Sequence, residues 1–243
     1  MKLERAIANN SGLYAAVFNA RRQLWLRSPS IDYCQEKAPP LYSNLVTRVR
    51  NWSPDDIFHS IDAAALRDGW PEWSIKDSFG ELQLERFGFQ PLFDARWLFL
   101  DGEIQSSRAM RSNFGRIESI DALLAWRNAW DGNALLGAQI FTRALLGTPG
   151  FHIFAGRQDG ATVCGFVANR TDDVLGLSNY FGLPQYWPDV IAHCRSVFGN
   201  IDLVGYERDS QTLGILHEIG FETVGDLTVW LKQPGLTEHL GRD

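Results

Sequence analysis

Apolar residues recur along this chain with two periods. From Ser119 to Trp130, Ile120, Leu123, Leu124 and Ala129-Trp130 fall at helical spacing, and Asp131-Gly132-Asn133 stops the run. Residues 138–146 read as a second helix, closed by Gly147-Thr148-Pro149-Gly150. Three strand-like runs follow, 151–157, 161–169 and 174–181. Gln158-Asp159-Gly160 and Arg170-Thr171-Asp172-Asp173 join them with hairpin chemistry, which predicts an antiparallel meander. Pro188 opens a helix with Val190, Ile191, Cys194, Val197 and Phe198 on one face, ended by Gly199-Asn200. Residues 201–205 form a short, nearly unbroken apolar strand, as a buried central strand would be. Asp209 or Ser210 caps a last helix bearing Thr212, Leu213, Leu216 and Ile219, and Gly220 closes it before a strand at 223–231.

The first half compresses this plan. It predicts helices at 13–24, 55–67 and 77–87 and strands at 41–49, 73–76 and 91–100. The 27–40 segment, short and rich in Pro and polar residues, gives no clear hairpin. The two halves also share words. Asp77-Ser78, Leu84 and Gly88-Phe89 return as Asp209-Ser210, Leu216 and Gly220-Phe221 at a constant offset of 132, and Asp94 returns as Asp226. Ser43-Asn44 is echoed by Ser178-Asn179, 135 residues on. The expectation is a mixed α/β sheet with helices on both faces, in two tandem units of residues 1–101 and 114–232, with a polar linker between them and a flexible tail at 233–243. The first unit is too short to cover its own sheet edge, so the last strands, near 93–98 and 228–231, are expected to meet.

Composition removes several function classes. Hydrophobic and charged fractions of 45% and 21% are those of a soluble globular protein. A net charge of −6 and a pI near 5.4, with no basic block, argue against a nucleic-acid partner. Cys34, Cys164 and Cys194 are odd in number and lack ligand spacing. They predict neither a disulfide framework nor a metal, and His193-Cys194 reads as a surface His beside a half-buried Cys. Asn9-Asn10-Ser11 breaks any signal-peptide core, and no apolar run reaches the ~20 residues of a membrane span, so a cytoplasmic setting is expected.

At these residues the chain resembles the GCN5-related N-acetyltransferase superfamily (GNAT), in a tandem form with a reduced first copy. The carriers are the meander followed by strand–helix–strand, and the apolar–Gly–Phe turn present in both halves as Phe87-Gly88-Phe89 and Ile219-Gly220-Phe221. The resemblance covers 119–231 well and 41–100 more weakly. It implies an acetyl-CoA or other acyl-CoA co-substrate lying where a fourth and fifth strand splay. Leu177, Ser178, Asn179, Tyr180 and Phe181 would hold the pantetheine amides, and Gly182 and the next helix N-terminus would face the pyrophosphate, with Asp209 opening the last helix. The family's glycine-rich phosphate loop is replaced by Gly182-Leu183-Pro184-Gln185-Tyr186-Trp187, and its last-helix Tyr by Leu216.

Glu207, ending Gly205-Tyr206-Glu207, is the candidate base, and Tyr180 or Tyr206 the candidate acid. A plainer account makes Glu207 a cap or a partner of Arg208, and the tyrosines packing groups. Ser178-Asn179 and Ser43-Asn44 suit ligand bonding and strand-edge bonding equally. Arg48 and Arg50 could meet phosphates, or simply line an exposed strand face. His217 and the scattered tryptophans read as surface and packing. The expected function is transfer of an acyl group to a primary amine of a small molecule or peptide, with a homodimer as the one assembly considered. The alternative is a non-catalytic module that keeps the scaffold for binding a ligand or partner.

Overall fold

The computed structural model describes residues 1–50, 73–104, 112–132 and 135–232. Its elements in chain order are α1 (Lys2–Ala20), β1 (Leu26–Arg27), β2 (Ile31–Tyr33), β3 (Leu45–Thr47), β4 (Trp73–Asp77), β5 (Gln90–Leu100), β6 (Asn113–Arg116), α2 (Ile120–Asp131), α3 (Leu135–Ile140), β7 (Phe151–Gln158), β8 (Ala161–Thr171), β9 (Val174–Gly182), α4 (Trp187–Phe198), β10 (Asp202–Glu207), α5 (Ser210–Ile219) and β11 (Glu222–Lys232). All described strands join one mixed sheet in the order β1-β2-β3-β4-β11-β5-β10-β9-β8-β7-β6.

The centre of that order fixes the architecture. β5, from the first half, lies between β10 and β11 of the second, and β11 lies between β5 and β4. Each half therefore gives its last strand to the other. β5 and β11 run antiparallel, with Phe99 opposite Glu222 and Asp94 opposite Thr228, so the two last strands meet as the sequence led us to expect. Alternation along β5 serves two layers. Leu98 and Leu100 pack with Leu203, Val190 and Ile191 on the α4/α5 face. Ala95, Trp97 and Phe99 pack with Leu3, Ile7 and Val204 beneath α1. Burial on both faces is what the apolar run Trp97-Leu98-Phe99-Leu100 encodes.

α1 straddles both halves, and it begins at Lys2 rather than near Leu13. Asn9-Asn10-Ser11 interrupts hydrophobicity without interrupting the helix, because each side chain finds a buried partner. Asn9 Nδ2 donates to the carbonyls of Asn169 (2.9 Å) and Val174 (3.3 Å). Asn10 Oδ1 accepts from Lys76 Nζ at 3.1 Å. Ser11 Oγ bonds the Asp32 carboxylate. Beneath Asn9, Gly176 is the residue that fits, since an added Cβ would collide with Asn9 Oδ1.

Several first-half expectations need correction. The predicted helix at 77–87 is absent. Asp77 accepts from the N–H groups of Phe79 (3.1 Å) and Leu82 (2.7 Å), closing a turn in which Gly80 has φ +65°, and only a 3-10 turn at Glu85–Phe87 remains. The shared apolar–Gly–Phe turn nevertheless keeps its geometry. Phe89 N–H donates to Leu84 O (3.3 Å) and Phe221 N–H to Leu216 O (3.0 Å), with Gly88 and Gly220 both at positive φ. A meander does exist in the first half, as β1, β2 and β3, but its strands are two and three residues long, too short to carry a period. Leu41, read as strand, sits at φ 66° ahead of β3. The predicted helix at 55–67 lies outside the described residues. In the second half, the helix expected at 138–146 breaks into α3 and a 3-10 turn (Arg143–Gly147), and β6 is an added edge strand on β7. No described helix is long and apolar enough to cross a membrane.

Replacing Asn9 by Leu should lower stability by about 1–3 kcal/mol, because Asn169 and Val174 would keep buried, unpaired groups. Urea unfolding would register this as a lower midpoint at unchanged slope.

Candidate functional site

β9 and β10 pair in parallel only from Val174/Asp202 to Gly176/Val204. Beyond that point β10 follows β5, with Tyr206 opposite Trp97 and Glu207 opposite Arg96, while β9 stays with β8. The sheet forks there. Against β8, the pairs Val167/Ser178 and Gly165/Phe181 leave Asn179 and Tyr180 facing Phe166, and Asn179 has φ 51°. This is a β-bulge, which sharpens twist and turns β9 away from β10. At the crotch, a Cβ on Gly205 would lie 2.9 Å from Leu177 O, so the two backbones close directly on each other. Leu177, Ser178, Asn179, Tyr180 and Phe181 thus have no strand partner on the β10 side among the described residues.

The pyrophosphate end is built differently. Gly182 has φ +115°, and a Cβ there would stand 2.6 Å from Cys164 Cβ and 2.7 Å from Val163 O, so its glycine is demanded by the chain turn itself. Pro184 and Pro188 lack N–H groups. The N–H of Tyr186 donates to Leu183 O (3.1 Å) and that of Trp187 to Pro184 O. Asp189, buried in the first turn of α4, accepts from Ser112 N–H at 3.1 Å and already places a carboxylate at the positive end of the helix. The fork presents a strand edge suited to an extended chain of amides, whereas the start of α4, with Pro184 before it and Pro188 and a buried acid in its first turn, is poorly suited to an anion.

The three catalytic candidates fare unequally. Glu207 Oε1 accepts the N–H groups of Arg208 (2.7 Å) and Asp209 (2.9 Å), so its carboxylate caps its own turn. Tyr180 stacks on Trp187 at 4.3 Å and donates its hydroxyl to Leu183 O at 2.5 Å, and burial pushes its phenol up. Tyr206 projects on the α1 face of the fork, edge-on to Trp97 at 5.5 Å. Asp209 N-caps α5 through Thr212 N–H (2.7 Å), which lowers its carboxyl. Asn179 Nδ2 donates to Ser178 Oγ at 3.1 Å, and Phe181 meets Trp126 edge-on.

The Ser-Asn echo does not survive as geometry. Ser43-Asn44 precedes β3, where Asn44 N–H donates to Ser74 O, whereas Ser178-Asn179 lies past the crotch of the fork. In the first half, Thr47 Oγ1 accepts Ser78 N–H (2.8 Å) and ties the ends of β3 and β4 together. Arg48 faces Asp32, and Arg50 pairs with Glu81. His193, read as a surface residue, is buried between Phe114 and Phe154, and burial lowers its pKa. His217 is exposed and meets Thr223 Oγ1.

Sequence reading missed a cluster on the α1 face. Lys76 on β4 is fully buried, and its Nζ lies 4.2 Å from the ring centre of Tyr206 and 4.9 Å from that of Tyr14. Tyr14 accepts Ser43 N–H and packs against Tyr42 at 4.9 Å, and burial pushes its phenol up to about 12. The Tyr42 hydroxyl is buried without a hydrogen bond of good geometry and lies toward Asn179, the bulge residue. The cluster therefore reaches both arms of the fork. One signal could have found it: a lysine inside Trp73-Ser74-Ile75-Lys76, a strand flanked by apolar partners on both sides.

No family model matches the chain, and no curated protein sequence does. Among solved structures, a functionally unknown conserved protein from Staphylococcus epidermidis matches with TM-score 0.67 and 10% identity, over 87% of this chain and 94% of that one. A GCN5-related N-acetyltransferase from Kribbella flavida matches with TM-score 0.60 and 12% identity, over 93% and 95%. A tandem GNAT protein from the clavulanic acid biosynthesis pathway matches with TM-score 0.56 and 9% identity, over 95% of each chain. At such identities the likeness is one of fold. The chain carries the GCN5-related N-acetyltransferase fold in its tandem form.

Burial lowers the pKa of Lys76 from its ordinary value. Between the lowered folded value and the ordinary one, about 10.4, the unfolded chain holds a proton there that the folded chain does not. The stability of the wild type relative to Lys76→Met should therefore rise with pH through that window, with a slope approaching ~1.4 kcal/mol per unit. Denaturant titrations of both proteins from pH 7 to 10.5 measure it, and equal slopes would contradict it.

Proposed function

We propose that this chain is an acyl-CoA-dependent N-acyltransferase with its donor in the β9/β10 fork and a primary amine of a small molecule or peptide as acceptor. We assign residues 1–101 and 114–232 to two units, of which the second holds the donor. The observation that carries the reading is the fork itself. A bulged β9 offers backbone groups to an extended amide chain, as an added strand would. An N–H near the Asn179 bulge would polarise the thioester carbonyl while the neutral amine forms the new C–N bond and the C–S bond breaks. Of the three candidate residues, we place Tyr206 at the reacting amine, because Glu207 and Tyr180 already spend their polar groups on the backbone. The crowded start of α4 favours a second reading, a binding module without catalysis.

Calorimetric titration separates these readings. Because few donors face the pyrophosphate, acetyl-pantetheine and acetyl-CoA should both bind, with affinities within about tenfold, or ~1.4 kcal/mol. Binding by neither at millimolar ligand would remove the acyltransferase reading. Glu207→Gln keeps an oxygen for the two N–H groups, and should leave turnover of a primary amine within about threefold. Loss of 100-fold or more would make Glu207 the base after all.

A further inference from the structure

We propose that Lys76, supplied by the first half, acts through Tyr206 as the proton acceptor for acyl transfer in the fork of the second half. This rests on the acyltransferase reading above and deepens it. The argument starts from burial. A lysine enclosed by Tyr14, Tyr206 and Trp97, with no carboxylate beside it among the described residues, is an expensive group to place in a core. Its Nζ donates to Asn10 Oδ1 at 3.1 Å and also lies in hydrogen-bonding contact with Tyr206. Buried titratable groups without a counter-charge concentrate at functional sites.

The groups around it set the direction in which its proton affinity moves. From α1 come Tyr14 and neutral Asn10, from β5 Trp97, from β10 Tyr206 and from β11 Val229. On its own strand Asp77 is committed to the N–H groups of Phe79 and Leu82, and Asp32 of β2 to Ser11, Arg48 and Arg27. With no acid facing it among the described residues, desolvation outweighs the opposing pull of Tyr206 and lowers its pKa, toward the neutral amine. Glu207, the obvious base, is occupied by two backbone N–H groups.

The proton inventory closes. The acceptor's ammonium gives a proton to the Tyr206 oxygen as that hydroxyl gives its own to Lys76 Nζ, leaving a neutral acceptor amine and a lysine ammonium. The amine attacks the thioester carbonyl, the C–N bond forms and the C–S bond breaks, and the departing thiolate takes the second amine proton. Lys76 then releases its proton to solvent, so one amide, one thiol and one proton leave per turnover. Lys76 touches no reacting atom and is a positioning and relay residue, whereas Tyr206 is the catalytic one.

The test uses the full chain, acetyl-CoA, and benzylamine and lysine methyl ester as acceptors, with thiol release followed from pH 6 to 10. Lys76→Met should bind acetyl-CoA within twofold of wild type yet lose about 100-fold or more in kcat/KM, together with the rising limb of the pH profile. Tyr206→Phe should lose as much, the double variant no more, and Lys76→Arg, which stays protonated, should not rescue. Lys76→Met within threefold of wild type, or multiplicative losses in the double variant, would overturn the inference while leaving the acyltransferase reading intact. A wild type that binds no acetyl-CoA would overturn both. The NMR resonance of 15N-labelled Lys76 Nζ, assigned by its loss in Lys76→Met, decides the matter without turnover. A neutral amine at pH 8 supports the relay, and an ammonium there ends it.

Discussion

The antiparallel pairing of β5 with β11 is the constraint on which the rest of the molecule depends. Each strand is eleven residues long and lies inside the territory of the other half. Neither half can therefore close its sheet alone: β10 needs β5 on its flank, and β4 needs β11. The side-chain ties across the pair are exposed, the Thr228–Asp94 hydrogen bond and the Arg96–Asp226 ion pair, and should contribute little. What holds the exchange is burial on both faces, with Trp97 and Phe99 under α1 and Leu98 and Leu100 under α4 and α5. An edge strand that would otherwise invite other chains becomes the middle of the sheet.

The exchange also makes the fork. Because β10 is engaged by β5 along its carboxyl end, it cannot follow β9 past Val204, and the bulge at Asn179 bends β9 the other way. α1 then covers one side of the gap, anchored by Asn9 to the second half and by Asn10 and Ser11 to the first. The same geometry carries Lys76 of β4 to Tyr206 of β10. The opening belongs by backbone to the second half, yet one wall of it is lined by the first.

Much of this was legible in the residues, for definite reasons. The second-half meander and the last strand–helix–strand are long enough for a period to show, and Asp209 and Gly220 cap α5 as their types suggest. The Gly-Phe turn repeated with its hydrogen bonds because a positive-φ glycine followed by a buried aromatic has few alternatives. Where the reading failed, tertiary contact overrode local chemistry. Asp77 looks like the N-cap Asp209 but caps a turn, and Asn9-Asn10-Ser11 looks like a break but is a buried polar seam. Strands of two or three residues have no period to read. Lys76 stood out only as a lysine within a short apolar strand, because its environment is assembled from α1, β5 and β10, all distant in sequence.

The central claim is that the exchanged strands hold open a donor site between β9 and β10. Hydrogen–deuterium exchange with and without saturating acetyl-CoA tests it most directly, because the claim concerns particular backbone amides. The account predicts slowed exchange at residues 177–182, with weaker effects across 183–190. Slowing confined to residues 45–50 and 78–82, or none at all, would contradict it.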